Sequence, residues 1–305
     1  MAAVNVPSAA DLSDARVRLI VLNYNGGELL LRCFSALGAL EWPSELLELV
    51  CVDNGSTDGS IDTLARDFPQ VEIRRQGHNG GFPANNRALE DLEGVDFVGL
   101  VNNDAFVEPG WLAPLVEAMQ ADPGLGAVSS KMVLAPRFAE VVIESPGFRP
   151  GGGDDRELGV MVRSVAVGSE DVSPDAHLGV GGWGKEVDGD GPFEWAAPHA
   201  VLRVPCPTDG EARFTASLVL QAREPVMVTV DGGTGPVTVE VGPRPEAVSV
   251  TVASAGYDVL NNVGSIVFED GAGADRGWLE RDLGQCDQPT EVFAWCGGSV
   301  LFRPE

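Results

Sequence analysis

Three clusters of carboxylate and amide side chains punctuate this chain, each directly after a short apolar run: Asn23-Tyr24-Asn25-Gly26, Asp53-Asn54-Gly55-Ser56-Thr57-Asp58-Gly59-Ser60 and Asn102-Asn103-Asp104. Such groups can hold a nucleoside through hydrogen bonds and a diphosphate through a bridging divalent metal. Taken alone, the second cluster also reads as a turn with a helix cap, because Asp, Asn and Gly suit turns and Asp58 is placed to cap the helix that follows. It is not a calcium loop: Gly55 stands where a ligand is needed, and no glutamate falls at the twelfth position. No G-x-G-x-x-G follows the first apolar run, and no G-x-x-x-x-G-K-[ST] occurs. Glycine-cradled phosphate binding is therefore not the device.

Ligands of open α/β sheets bind beyond the carboxyl ends of the strands, so these clusters call for a parallel sheet beneath them. VRLIVL (17–22), LLELVCV (46–52), VEIRR (71–75) and DFVGLV (96–101) predict four strands. Between them Leu30, Cys33, Phe34, Leu37 and Leu40, and then Ile61, Leu64, Ala65 and Phe68, recur at helical spacing, and a further helix is expected over 84–92. Pro109 is expected in the first turn of another helix running to about Met119. AWCGGSVLF (294–302) predicts one more strand rejoining this sheet.

Around Pro146 the pattern changes. GFRPGGGDD is a glycine-rich break, after which ARFTASLVLQA, PVMVTV, PVTVEV and AVSVTVASA (212–254) place apolar residues at every second position, the mark of half-buried antiparallel strands. The expected organisation is a disordered leader (1–16), an α/β domain (17–149 plus 259–305) and an inserted antiparallel β-sandwich-like domain (150–258). Trp183, Phe193 and Trp195 are candidates for a sugar-stacking platform, against the usual place of aromatic residues in a β core. Asp188-Gly189-Asp190-Gly191 reads as a turn. His177 and His199 lack a third ligand at metal spacing and read as structural, and nothing in the sequence gives His78 a role.

The whole chain is 305 residues, 44% hydrophobic and 22% charged, the composition of a globular protein of about two domains. Twenty Lys and Arg against 46 Asp and Glu give a net charge of −26, which excludes nucleic acid as a partner held by phosphate electrostatics. The five cysteines contain no C-x-x-C pair, so neither a disulfide framework nor a zinc ribbon is indicated. A reducing, cytoplasmic setting fits, with peripheral attachment at the inner face of the membrane left open. No run approaches the roughly 18 apolar residues of a membrane span.

NYNG (23–26), VDNGSTDGS (52–60), HNGGFPANN (78–86) and NNDAFVEPGWL (102–112), in that order, resemble the inverting glycosyltransferases of family 2, in particular their rhamnosyltransferase-like branch. The resemblance covers about 17–148 and 259–305. It implies a GT-A fold (Rossmann-like, mostly parallel sheet), a nucleotide-diphospho-sugar donor, Mg²⁺ or Mn²⁺, and a glycan or lipid-linked glycan acceptor in cell-wall polysaccharide biosynthesis. Carried over residue by residue, Asp53 and Asn54 meet the base and ribose of the donor, with Asn23 and Asn25 at the pocket wall. Asn79, Gly80, Gly81, Asn85 and Asn86 match the loop and helix start beside the donor sugar. Asp104 matches the last acid of a metal-binding D-x-D whose first acid is here Asn102, as is usual in that branch, with Asn103 between them. Trp295, Cys296, Gly297 and Gly298 match the strand entry that lines the acceptor side. Cys296 reads as a small buried residue, because inversion needs no nucleophile.

In the family the general base lies after the last sheet strand, in a segment resembling F-D-E-x-F-F-x-Y-x-E-D-x-D. This sequence has no match to it. The expectation is an amino-terminal fragment, inactive by itself, whose base lies beyond Glu305, with Asp275, Arg276, Glu280, Asp282 and Asp287 in a polar loop near the acceptor. The branch suggests dTDP-rhamnose as donor, with UDP-hexoses or UDP-galactofuranose also open. A non-catalytic nucleotide-sugar or glycan-binding protein is the alternative. A sugar-phosphate nucleotidyltransferase would need a glycine-rich basic loop that NYNGGELLLR does not supply.

Overall fold

The computed structural model describes residues 14–207 and 212–304. They form two compact units, one within 1–132, 262–278 and 286–305, the other within 133–261 and 279–285. The leader expected over 1–16 lies outside the described residues as far as Ser13. Ala15 is buried, and Arg16 exchanges two bonds with Asp96: its N–H donates to the Asp96 carboxylate (2.8 Å) and its carbonyl accepts the Asp96 N–H (2.9 Å).

In the first unit β1 (Val17–Asn23), α1 (Gly27–Gly38), β2 (Leu47–Asp53), α2 (Ser60–Asp67), β3 (Glu72–Arg75), β4 (Phe97–Asn102), α3 (Leu112–Ala121) and β5 (Ala127–Ser129) follow one another. A strand at Ser299–Phe302 completes a six-stranded mixed sheet of order β3-β2-β1-β4-(299–302)-β5. β1 to β4 are parallel, and Ser299–Phe302 runs antiparallel between β4 and β5. Strand order reverses at β1, which makes the carboxyl ends of β1 and β4 the switch point where such sheets bind ligands. The register puts Asn23 opposite Asp53 and Leu22 opposite Asn102, so all three polar clusters emerge on one edge.

Alternate residues of β1 explain why its run is apolar throughout. Val17, Leu19 and Val21 pack with Leu30, Phe34, Leu37, Leu64, Val116 and Met119 on the helical face, while Ile20 joins Val50, Val98, Ala84 and Ala88 on the other. The helix expected over 84–92 is instead a 3-10 segment, Phe82–Ala88. Its apolar periodicity does face one cluster. However, Arg74 Nη1 takes the Arg87 carbonyl (2.6 Å) and Arg18 Nη1 the Ala88 carbonyl (3.0 Å), the acceptors a continuing helix would engage. Pro109 likewise sits ahead of α3, in a turn closed by the Trp111 N–H on the Glu108 carbonyl (3.0 Å). It is Pro114 that occupies the first turn, where the missing donor is tolerated.

The second unit is one nine-stranded antiparallel sheet rather than two stacked layers. Its path runs 237–241, 226–231, 138–144, 191–205, 161–167, 213–221, 246–253, with His177–Asp188 paired to Gly191–Pro205. The sheet nearly closes on itself. Gly233 bridges Val252, and the Ala253 N–H donates to the Gly232 carbonyl (2.8 Å). Inward side chains such as Ile143, Leu202, Val204, Leu218, Leu220, Val230 and Val250 make one core. This unit begins at Val133, ahead of the break expected at 150, because Phe138–Glu144 is a central strand of it.

Phe193 and Trp195 do not form a platform. They are buried with Leu158 and Met161 in edge-to-face packing, Trp195 lying 5.7 Å from Phe148 and 5.9 Å from Phe193. His177 packs edge-on to Phe138 (5.4 Å), and His199 Nδ1 lies 2.6 Å from the Glu144 carboxylate. Asp188–Gly191 is the turn expected there.

Candidate functional site

Asn23 ends β1 and is fully buried, so its amide must find partners within the protein. Its Nδ2 donates to the Ser56 hydroxyl (2.9 Å) and the Ser60 hydroxyl (3.3 Å), and its Oδ1 accepts from the Gly26 N–H (3.2 Å) and Asn103 Nδ2 (3.0 Å). One side chain thus ties the loops after β1, β2 and β4. Gly26 is obligatory beside it: a Cβ there would fall 2.5 Å from Asn103 Nδ2 and against Asn23 Oδ1. Asn25 adopts φ 54°, a left-handed conformation that Asn tolerates, and its Oδ1 accepts the Thr57 N–H (2.7 Å).

The cap of α2 is Gly59, at φ 81°, and Asp58 one residue earlier supplies the acceptor. Its carboxylate takes the Ser60 N–H (3.1 Å), the Ser60 hydroxyl (2.6 Å) and, across the gap, the Gly27 N–H at the start of α1 (2.9 Å). Burial acts to raise the Asp58 pKa, but the Ser60 and Gly27 hydrogen bonds outweigh it and hold the carboxyl below its ordinary value.

Asp53 closes β2, is buried, and accepts the Ser56 N–H on Oδ1 (3.0 Å), while Arg75 Nη1 stands 3.8 Å from Oδ2. Asn54 organises the next loop. Its Nδ2 donates to Asn79 Oδ1 (2.9 Å) and the Gly81 carbonyl (3.3 Å), and its Oδ1 accepts the Gly80 N–H (2.8 Å). Gly55, at φ 86°, lets that loop approach: a Cβ there would lie 2.9 Å from His78 Cα. Hydrogen bonds therefore bring Asn23, Asn25 and Asn103 together, and Asn54 with Asn79 and Gly80. Asn85 is buried but donates to the Phe82 carbonyl of its own turn (3.0 Å), outside this network.

At the end of β4 the Asn102 N–H donates to the Gly298 carbonyl (3.0 Å), joining the expected donor and acceptor segments. The Asn102 carbonyl accepts the Cys33 thiol (3.5 Å), whose pKa is pushed up to about 12 by burial and then by Asp104. Cys33 is accordingly a neutral thiol. Asp104 is exposed. Trp295 is exposed, Cys296 and Gly297 are half-buried, and Gly298 is buried. A Cβ on Gly297 would meet the Phe82 ring at 3.2 Å, which puts this exposed ring beside the 295–298 segment.

Sequence reasoning missed Phe82 and the clamp behind the 79–88 loop. Arg18 donates to Glu48 (2.8 Å) and Asp91 (2.7 Å), and Arg74 to Glu72 (2.7 Å) and Asp91 (2.9 Å). Asp91 is held down to about 2 by the Arg74 and then the Arg18 hydrogen bonds. The signal was present: Arg18 is a charge inside a strand buried on both faces, and such a charge demands partners.

Among the described residues no three His, Cys, Asp or Glu side chains gather into a metal site. Asp104 offers a hard, accessible carboxylate oxygen at the switch point. One carboxylate fits a divalent cation that shares its coordination with substrate phosphates and water, not one bound by protein alone. A cavity of about 390 Å³ lies at the opposite edge of the sheet, lined by Ala15, Val95, Phe97 and Arg303. Its lining also includes Asp14, Asp96 and Gln120, and Arg303 is already committed there to the Leu125 and Met119 carbonyls.

Residues 19–133 match the family described as Glycosyl transferase family 2. A poly(ribitol-phosphate) beta-glucosyltransferase of Bacillus spizizenii is 27% identical over 97 residues, 30% of this chain and 15% of that protein. Among solved structures, a mannosyltransferase from Pyrobaculum calidifontis in complex with GDP-Man and Mn²⁺ is 30% identical with a TM-score of 0.35, covering 38% of this chain and 36% of that one. TarS 1-349 of S. aureus is 23% identical with a TM-score of 0.34, covering 42% and 41%. The chain thus spans a minority of the length of each of these relatives. The matched span holds every donor-side and metal candidate from Asn23 to Asp104. Among the described residues no helix is long and apolar enough to cross a membrane.

Proposed function

We propose that the first unit is the donor-binding domain of an inverting glycosyltransferase that takes a sugar from a nucleotide diphosphate and passes it to a glycan or lipid-linked glycan of the cell envelope. The observation that carries the proposal is the meeting of Asn23, Asp53-Asn54 and Asn103-Asp104 at the carboxyl ends of β1, β2 and β4, within the span that matches family 2. dTDP-rhamnose and UDP-sugars are the donors proposed. A polymeric acceptor is in keeping with the one named for the Bacillus relative. Transfer to a lipid-linked glycan would bring the protein to the membrane surface.

In this reading Asp53, buried and already oriented by the Ser56 N–H, presents its second carboxylate oxygen to the nucleoside. Asn54 acts through the loop it orders, placing Gly80 and Gly81 against the donor sugar. Asn23 touches no ligand; it fixes the relative position of the three loops. Asp104 is the carboxylate proposed to hold a divalent cation, which when bound would stabilise the departing diphosphate. Phe82 and Trp295 offer ring faces on the acceptor side. An acceptor hydroxyl then attacks the anomeric carbon opposite the leaving diphosphate, and its proton passes to a base that is assigned to no residue of this chain.

Calorimetric titration with dTDP and UDP, with and without Mn²⁺, tests the proposal. Metal-dependent binding that falls at least tenfold in Asp104→Ala is the expected result. Binding of neither nucleotide, or binding indifferent to both Mn²⁺ and Asp104, would overturn it.

A further inference from the structure

The second unit carries a shallow, open cleft lined by Gly153, Asp154, Asp155, Arg156 and Trp183. Trp183 differs from the other aromatic residues near it. Phe193 and Trp195 are buried in mutual edge-to-face contact, and Arg223 covers the rings of Trp195 and Phe148. Trp183 is 43% exposed, and among the described residues no ring or cation packs on its face. Its orientation is nonetheless fixed, because Nε1 donates to the Glu157 carbonyl (3.2 Å).

The surroundings leave that face open. Gly184 (φ 85°) follows Trp183 directly and Gly153 (φ 95°) lines the cleft; a Cβ on either would meet nothing within 4 Å. The polar floor is held rigid. Arg156 binds Asp154 (2.8 Å) and Glu186 (2.6 Å), so its charge is neutralised twice over. Asp155, exposed beside it, makes no side-chain hydrogen bond among the described residues.

Each ligand class can be weighed against these groups. A phosphate or other anion meets an arginine already paired and carboxylates that repel it. A metal ion lacks ligands, since no three acids gather here. A neutral sugar ring suits the cleft: its apolar C–H face stacks on an oriented, uncovered indole, and its hydroxyls donate to a free carboxylate. We propose that this cleft is a carbohydrate-binding site for an uncharged pyranose of a glycan, with Trp183 as the stacking surface and Asp155 as the hydroxyl acceptor. The site belongs to the second unit and does not depend on the donor reading of the first.

Affinity electrophoresis of the full chain in native gels containing dextran, galactomannan or arabinogalactan tests it. The expected result is retardation in at least one gel, abolished by Trp183→Ala, retained in part by Trp183→Phe and weakened severalfold by Asp155→Asn. The Asp155→Asn variant guards against misfolding, since an exposed residue without partners is replaced at constant shape. Wild-type mobility unchanged in all three polysaccharides, or retardation that survives both Trp183→Ala and Asp155→Asn, would overturn the proposal. Asp104→Ala, which is expected to lose nucleotide binding, should be retarded like wild type, so failure of one proposal is visible separately from failure of the other.

Discussion

The two units bury different things. Among the described residues, Arg18, Asn23, Asp53, Asn54, Ser60, Asn85, Asn262 and Ser299 are polar side chains buried in the first unit, whereas Gln221 alone is buried in the second. The second unit keeps its interior apolar and its strands alternating, the arrangement that gives the most stability per residue. The first gives up apolar burial at its strand ends for a hydrogen-bonded network, which contributes little net stability but fixes geometry. The contrast separates a region built to stay folded from one built to hold groups in place.

The sharpest test of that contrast is Leu218→Ala, which removes a fully buried side chain from the second unit's core. It should destabilise that unit by about 2–5 kcal/mol in thermal or urea unfolding, with nucleotide binding by the first unit unchanged. Next in size, Asn23→Ala removes the acceptor of Asn103 Nδ2 and of the Gly26 N–H, and should destabilise the first unit by about 1–3 kcal/mol. Unlike Leu218→Ala it should also weaken nucleotide binding at least tenfold. Gly26→Ala should mimic it, because its Cβ displaces the same amides. Equal effects of Leu218→Ala and Asn23→Ala on binding would dissolve the contrast.

A smaller effect is expected from the clamp. Asp91 has a depressed folded-state pKa of about 2, so its contribution to stability is fully present above its ordinary value of 3.8 and is lost as pH falls from there through about 2. Between pH 4 and pH 2 the unfolding midpoint of wild type should therefore fall further than that of Asp91→Asn, followed by circular dichroism. Asp91 is largely exposed, so solvent screening keeps the difference small. Smallest of all, Asp104→Ala should leave the unfolding midpoint unchanged, since an exposed carboxylate supports no neighbour, while its effect on metal-dependent binding is large.

The strands β1, β2 and β4 were legible because a strand covered on both faces must be apolar along its length, and the polar residues that end each run announced the site. The 3-10 segment was not legible. Its apolar spacing is helical, and only Arg18 and Arg74, distant in sequence, decide that its last carbonyls go elsewhere. The hairpin of His177–Asp188 with Gly191–Pro205 was hidden by HLGVGGWG, whose glycines read as loop but serve register shifts within a ladder. The near closure of the second sheet was invisible for a related reason, since it depends on contacts around Gly232 and Gly233 that no local pattern encodes. Asn23 was found for its type and place, yet its role as a tie between loops required the partners to be seen.

The antiparallel strand Ser299–Phe302 carries a consequence for how the first unit comes into being. Val300 pairs with Leu100, 300 − 100 = 200 residues earlier in the chain. A ribosome adds roughly 5–20 residues each second, so β4 waits on the order of ten seconds or more as an open edge with its backbone donors and acceptors unmatched. Entropy alone makes so long a closure only slightly dearer than a short one, but it makes it slow. The strongly alternating strands between them can fold in that interval. The nascent protein is thus most exposed to edge-to-edge aggregation along β4, and a chaperone that occupies that edge until Ser299–Phe302 emerges would raise the yield of folded protein.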